Sequence, residues 1–240
     1  MQKFIIGFLI LTLISWGFLA DVKPAQAKEN LKQKIFVHYP KEPGKPTPGT
    51  CSVTTNDQVP DYLLVGWHMP AEGMTYKINS SSKLKGLNNN QVTSAVANAF
   101  NTWTEADNKQ IFRYGGLTSV KDSKYDGTNA ILWKPLTSQA IAITYVWYWP
   151  STGLLAEADT VFNSNYKWSY TPYRTSECGL KGTYDVQDIG THEFGHWVGL
   201  DDLYNSIDQD LTMYGYGNTA ELKKDTLGLG DILGVNAVLP

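Results

Sequence analysis

The chain has 240 residues, 42% hydrophobic and 12% aromatic, which is enough apolar material for one ordinary domain with a sizeable core and too much for a disordered chain. Lys and Arg number 20 against 23 Asp and Glu, for a formal net charge of -3. With no basic face and no repeat in evidence, nucleic acid is excluded as an expected partner.

Residues 1 to 27 have the layout of a secretory signal. Lys3 gives the positive start, Phe4 to Ala20 is an almost uninterrupted apolar run, and Ala25-Gln26-Ala27 offers small residues for cleavage. The mature chain is then expected to begin at Lys28 and to be secreted, extracellular. An uncleaved anchor is the other reading, because the apolar run is close to the ~17-residue lower limit for spanning. No later segment is long and apolar enough to cross a membrane, so no stable insertion is expected once the signal is cut. The two cysteines, Cys51 and Cys178, point to a disulfide in an exported chain, with two unpaired thiols as the alternative.

Lys28 to Thr50 carries five lysines and four prolines, and the run from Tyr39 to Gly49 suits neither sheet nor helix. Residues 28–59 are therefore expected to form a basic, Pro-rich extension, either a tether or a short propeptide, with the folded domain over 60–240. Strand-like pieces follow at Tyr62 to Trp67 and Met74 to Asn79. From Gln91 to Thr104 the apolar residues Val92, Ala95, Val96, Ala99, Phe100 and Trp103 recur at three and four, which predicts a helix covering a sheet. A polar loop from Asp122 to Asn129 leads into a strand at Ala130 to Trp133. Ala140 to Trp149 alternates as a strand does. After the turn at Pro150 to Gly153, Leu154 to Asn163 reads as a second strand, whose Glu157 and Asp159 suit an exposed sheet edge. The aromatics crowded between Trp133 and Tyr173 read as core and sheet cover before they read as a sugar-stacking platform.

Tyr184-Asp185-Val186-Gln187-Asp188 opens the most informative helix, with Asp185 a suitable N-cap. It carries Thr191-His192-Glu193-Phe194-Gly195-His196-Trp197-Val198-Gly199-Leu200-Asp201-Asp202. At ~3.6 residues per turn His192 and His196 point the same way with Glu193 beside them, so two imidazoles can share one metal while the carboxylate reaches a water next to it. Gly199 allows a sharp exit through a left-handed conformation, and Asp202 can then swing back as a third ligand. Asp201 is the competing oxygen next door. Beyond a polar loop come Leu211 to Tyr216, and then Asp231, suited to cap a closing helix with Ile232, Leu233, Val235 and Val238. His38 and His68 read as surface or local hydrogen-bonding residues.

The run from His192 to Asp202, with the Met213 turn after it, resembles the metzincin zinc metallopeptidases, whose usual form is HExxHxxGxxH followed by a Met-turn. Aspartate in the last ligand position resembles the small secreted snapalysin-type proteases. Ala99-Phe100-Asn101-Thr102-Trp103 resembles the first helix of matrixin catalytic domains, and Leu154 to Asn163 resembles the edge strand that takes a substrate backbone by strand addition. Over about residues 60 to 240 the resemblance implies an α+β metzincin fold: a twisted, mostly parallel sheet with an antiparallel edge strand, a covering helix, an active-site helix and a C-terminal helix.

It further implies one catalytic Zn2+ held by His192, His196 and Asp202, with Glu193 as general base, in a monomeric endopeptidase acting on protein or peptide. Matrixins often hold Ca2+ in loops like Asp122 to Asn129. Oxygen ligands are present in Asp122, Asp126 and Asn129, although turns use the same residues for backbone reasons. Cys51 could act as the thiolate switch of matrixin propeptides, but the sequence pattern of those switches is absent. Some metzincins place a tyrosine two residues after the Met-turn methionine; here that position is Gly215, between Tyr214 and Tyr216. The competing class is a noncatalytic secreted binding module on the same fold, which loss of Glu193 or a ligand would favour. All four residues are retained.

Overall fold

A computed structural model describes residues 30–41, 57–79, 84, 86–172 and 179–238. The expected signal segment, Cys51 and Cys178 lie outside the described residues, and so do the disulfide and thiolate-switch expectations. In chain order the elements are β1 (Lys32–Pro40), β2 (Met74–Ile78), α1 (Asn89–Ala106), β3 (Phe112–Leu117), β4 (Asn129–Lys134), β5 (Ala142–Trp149), β6 (Leu154–Asn163), β7 (Trp168–Ser169), β8 (Tyr184–Asp185), α2 (Val186–Val198), β9 (Tyr216–Gly217) and α3 (Leu229–Ala237). The main sheet has the order β3-β2-β4-β6-β5-β1-β9, and β7 pairs with β8 apart from it. Strands β3, β2, β4 and β6 are mutually parallel, β5 is antiparallel to both β6 and β1, and β1 ends parallel to β9. The fold is thus mixed α/β with a mostly parallel central sheet.

Local chemistry explains where the helices begin. Asn88 caps α1, its Oδ1 accepting from Gln91 N while Gln91 Oε1 accepts from Asn88 N, both at 3.0 Å. The buried face of α1 is Ala95, Val96, Ala99, Phe100 and Trp103, as the spacing predicts. Asp185 caps α2 by accepting from Gln187 N and Asp188 N. Nearly all of α2 is buried, because α1 packs on one side of it and the sheet and the 211–216 turn close the others. The Phe100 and Phe194 rings stack at 3.7 Å, and Trp103 Nε1 donates to Thr191 O at 2.8 Å. Each such aromatic contributes roughly 1.5–3 kcal/mol through burial. A Cβ on Gly195 would come within 2.8 Å of the Trp103 ring and would run into Met213 Sδ. Glycine is therefore what lets the Met213 turn close up under the helix.

Several expectations change. Residues 32–40 do not belong to a tether: Phe36 and His38 alternate with Ile35 and Val37, and the strand pairs with β5 from Lys32↔Tyr148 to His38↔Ala142. Tyr39 and Pro40 also enter the sheet, opposite Tyr216 and Gly217, and Pro40 is tolerated because it ends the strand. Leu154–Asn163 is not an edge but lies between β4 and β5. Nor is the antiparallel strand, β5, an edge, since β1 and β9 lie beyond it. Glu157 and Asp159 interrupt β6 because they fasten the 122–129 loop that leads into β4. Asp159 accepts from Ala130 N at 2.8 Å and Lys124 N at 3.2 Å, and Glu157 accepts from Asp126 N and Gly127 N. In that loop Asp122 accepts from Lys134 Nζ, Asp126 from Thr128 N and Asn129 from Ala158 N. Tyr62 to Trp67 forms only the isolated bridge Leu64↔Leu200. Asp231 lies one turn inside α3, accepting from Gly228 N and Thr212 N at 2.8 Å and from Met213 N at 3.0 Å, so one carboxylate ties the closing helix to the Met213 turn. Trp133, Trp147 and Trp168 are buried core residues. None of the described helices is long and apolar enough to cross a membrane.

Candidate metal centre

Helix α2 presents His192 and His196 on one face, their rings 5.0 Å apart and nearly perpendicular. Gly199 ends the helix at a φ of 111°, a conformation that costs other residues about 1–2 kcal/mol. The chain then turns back so that Asp202 Oδ1 lies 3.2 Å from His192 Nε2 and 3.6 Å from His196 Nε2. His192 Nδ1 bonds Thr212 O at 2.8 Å and His196 Nδ1 bonds Leu200 O at 2.9 Å. A carbonyl only accepts, so each Nδ1 carries the proton and each neutral ring directs a bare Nε2 lone pair at the carboxylate.

These atoms fit a metal ion. Ligand atoms at ~2.1 Å on a tetrahedron stand ~3.4 Å apart, which matches the 3.2 and 3.6 Å separations. His192 Nε2 and Asp202 Oδ1 are buried without a hydrogen-bond partner, an arrangement of facing acceptors that only a cation or a shared proton relieves. Burial, followed by Lys224, pushes His192 down to about 4, and burial lowers His196 as well, so near neutral pH both rings are uncharged. Burial alone would raise Asp202, but His196, His192 and the Tyr204 hydroxyl outweigh it and hold the carboxyl at about 2. A carboxylate between two neutral imidazoles could hold a metal ion. Asp201, the competitor, is turned away and accepts from Lys34 Nζ at 2.7 Å.

Glu193 is buried beside this set. Thr144 on β5 donates to its Oε2 at 2.5 Å, while Oε1 has no hydrogen-bond partner and lies 3.3 Å from His38 Nδ1. Burial pushes the Glu193 carboxyl up to about 8, against the pull of the Thr144 hydroxyl. Met213 packs beneath α2, and Lys224, wholly buried, donates from Nζ to Thr212 O and Tyr214 O, holding the turn whose carbonyl orients His192. Among the described residues a second set, His38, His192 and Glu193, also converges. His192 belongs to both sets and has one lone pair to give, so only one can be filled.

The structure brings together all four residues singled out from the sequence and adds four more. Trp67 Nε1 donates to His196 O at 3.0 Å, and Tyr204 Oη donates to Asp202 Oδ2 at 3.2 Å across the space that Gly215 leaves. Thr144 sits on the inward side of an alternation legible in the sequence. His38, expected at the surface or in local hydrogen bonding, is buried against His192 with ring centroids 3.8 Å apart. Its signal was the alternation of 35–38, masked by the lysines and prolines around it. Nothing local marks Tyr204. His68 bonds the adjacent Met69 O, the local contact expected, and also Thr152 O, 84 positions away. No family model matches the sequence, and no curated protein matches it.

Proposed function

We propose that this chain is a secreted zinc endopeptidase of the metzincin kind, in which His192, His196 and Asp202 hold the metal and Glu193 is the general base. The observation that carries the reading is the convergence of three unprotonated ligand atoms, 3.2 and 3.6 Å apart, beside the unpartnered Oε1 of Glu193. Secretion rests on the sequence of residues 1 to 27, and the family on the motif and the Met213 turn beneath it.

Zinc held there supplies Lewis acidity, making a nearby water acidic and steadying negative charge that develops on a carbonyl oxygen. The chain's own groups do the rest. Glu193, anchored through Oε2, takes the water's proton at Oε1 as the oxygen attacks a peptide carbonyl, then returns it to the departing amine nitrogen. The Nδ1–H bonds to Thr212 O and Leu200 O fix both imidazoles in the ligating tautomer, and Trp67 braces the His196 backbone. A neutral His38 touching Oε1 takes no part in this proton path.

The test is bound zinc by elemental analysis together with cleavage of unfolded casein, on the chain and on Glu193→Ala and His196→Ala. One zinc per chain in the parent and in Glu193→Ala, little in His196→Ala, and cleavage by the parent alone is the expected pattern. Zinc without any cleavage by the parent points instead to the binding module or to an uncut proenzyme, and no zinc at all removes the metal-centre readings altogether.

A further inference from the structure

The turn that orients His192 is itself held by a buried cation. Lys224 is 0% exposed, and its Nζ donates to Thr212 O at 2.9 Å and to Tyr214 O. Lys224 N donates to Asp188 Oδ1 at 2.8 Å, and Asp188 stands one turn before His192 on α2. One residue thus clamps the helix of His192 through its backbone and the hydrogen-bond acceptor of His192 through its side chain. Among the described residues no carboxylate pairs with Lys224 Nζ. Asp231 is taken up by the N–H groups of Thr212, Met213 and Gly228, and Glu221 by Asn218 N and by the neighbouring Lys223 Nζ at 3.1 Å. Burial lowers Lys224 only to about 8, so it carries its charge near neutral pH.

Clamping alone does not call for an ammonium. A buried cation without a counter-ion is costly, and a neutral donor would hold the same carbonyls with less desolvation. What the ammonium adds is a field at the metal centre. Thr212 O has two lone pairs, one taken by His192 Nδ1–H at 2.8 Å and the other by Lys224 Nζ. A carboxylate behind a metal-binding imidazole makes the ring a stronger donor. Here the acceptor is a carbonyl already polarised by a cation, so the ring gives up less electron density. Burial is the largest influence on His192, His38 and Glu193, and on all three the Lys224 charge favours the unprotonated form.

We infer that Lys224 is a positioning residue that keeps the metal electron-poor, offsetting through Thr212 O and His192 the negative charge that Asp202 brings to the ligand set. Two neutral imidazoles and one carboxylate leave a divalent ion with a single net positive charge, where a third imidazole would leave two. The ammonium behind His192 restores the missing charge without taking a ligand position. Metal affinity is lowered as a result, because a fixed cation repels a bound one. The inference rests on the metal-centre reading and is independent of whether the chain cleaves peptides.

The experiment compares the full chain with its Lys224→Met, Lys224→Gln and Lys224→Arg variants. Three quantities are read: the zinc dissociation constant by competition with a chromophoric chelator, the visible absorption of the Co2+-substituted protein, and kcat for casein. Removing the charge should tighten zinc binding by about tenfold or more in the Met and Gln variants, as expected when Coulomb repulsion across a few ångströms of protein is relieved. Their kcat should fall by about tenfold or more, as for lost partners of metal ligands. The Co2+ spectrum should keep its form, and Lys224→Arg should stay near the parent in all three. A residue that merely braced the turn would act with the opposite sign, since its loss would loosen His192 and weaken zinc binding. Unchanged or weaker binding in the Met and Gln variants therefore overturns the inference. So does failure of both to fold, which would make Lys224 a structural anchor alone. Tighter zinc with no casein cleavage in any form, the parent included, upholds the part played by Lys224 and removes the peptidase reading.

Discussion

With Glu193 ionised, the Thr144 hydroxyl donates to its Oε2 at 2.5 Å as the last link of a one-way relay. Trp197 Nε1, which can only donate, gives to Thr160 Oγ1 at 3.1 Å, and Thr160 and Thr144 lie 2.8 Å apart. Each hydroxyl has one proton, so the direction is fixed from the indole to the carboxylate. Thr144→Val keeps the shape and removes the last donor. We expect kcat for casein to fall roughly 10-fold or more, as for lost partners of a site's working groups, with zinc content unchanged and Thr144→Ser restoring most of the rate. Unaltered kcat in the valine variant would show that Oε2 needs no anchor.

Asp202 rather than Asp201 should decide metal retention. Asp202→Ala leaves two neutral imidazoles and no charge, and should lower zinc affinity by well over about 100-fold, beyond the loss seen for outer partners. Asp201→Ala removes the Lys34 contact and the bond its Oδ1 accepts from Asp202 N, but no proposed ligand, and should keep its zinc. Dialysis against a metal-buffered series measures both. Chelation of the parent should also lower Tm, because ligand bound to the folded state alone stabilises it.

The pH dependence of stability should carry a signature from Asp159, away from the metal. Burial pushes its carboxyl up to about 7, against the pull of Ala130 N–H. A folded-state value above the unfolded one of ~3.9 means that its contribution is whole below about pH 4 and is lost as pH rises through about 7. His192, pushed down to about 4 by burial, and His196, also lowered by burial, act in the opposite sense, adding stability as pH rises toward ~6.5. The quantity to read is therefore the difference between parent and Asp159→Asn in Tm at pH 5, 6.5 and 8. The parent should lose more stability on going alkaline, and parallel curves would contradict the buried acid.

Gly199→Ala tests the helix exit. A side chain at a φ of 111° is strained, and its Cβ would stand 2.5 Å from Trp67 O. A loss of about 2 kcal/mol or more is expected from the strain and clash together, read as a lowered urea midpoint, along with weaker zinc binding because Leu200 O and Asp202 would be displaced. Full stability would mean that the turn relaxes without cost.

The centre was legible because its ligands are local: one helical face, one glycine and a turn contain His192, Glu193, His196 and Asp202. The covering helix was legible for the same reason, since its period of three and four is written in contiguous residues. The order of strands was not. Leu154 to Asn163 reads as a strand following the turn at Pro150 to Gly153, but its place between β4 and β5 is set by partners far away in sequence, and its two acids were read as marks of an edge when they hold a loop. Residues 32–40 were hidden by composition. Five lysines and four prolines in Lys28 to Thr50 suggest a tether, whereas what decides is that Phe36 and His38 find His196 and His192 to lie against. Tyr204 reaches Asp202 because Gly215 leaves its ring room, a pairing that no local pattern announces.

The separation of Lys34 from Asp201 by 167 positions also has a kinetic meaning. Helix α2 and its turn close short loops, while the contact across Lys34 closes a very long one, and loop closure becomes less favourable as its length grows. Residues 32–40 are therefore expected to find their place late, after α2, Gly199 and the Met213 turn have assembled. During that interval the side chains of His192, His196 and Asp202 would face solvent, so in the proposed centre a metal ion would enter before residues 32–40 close over it.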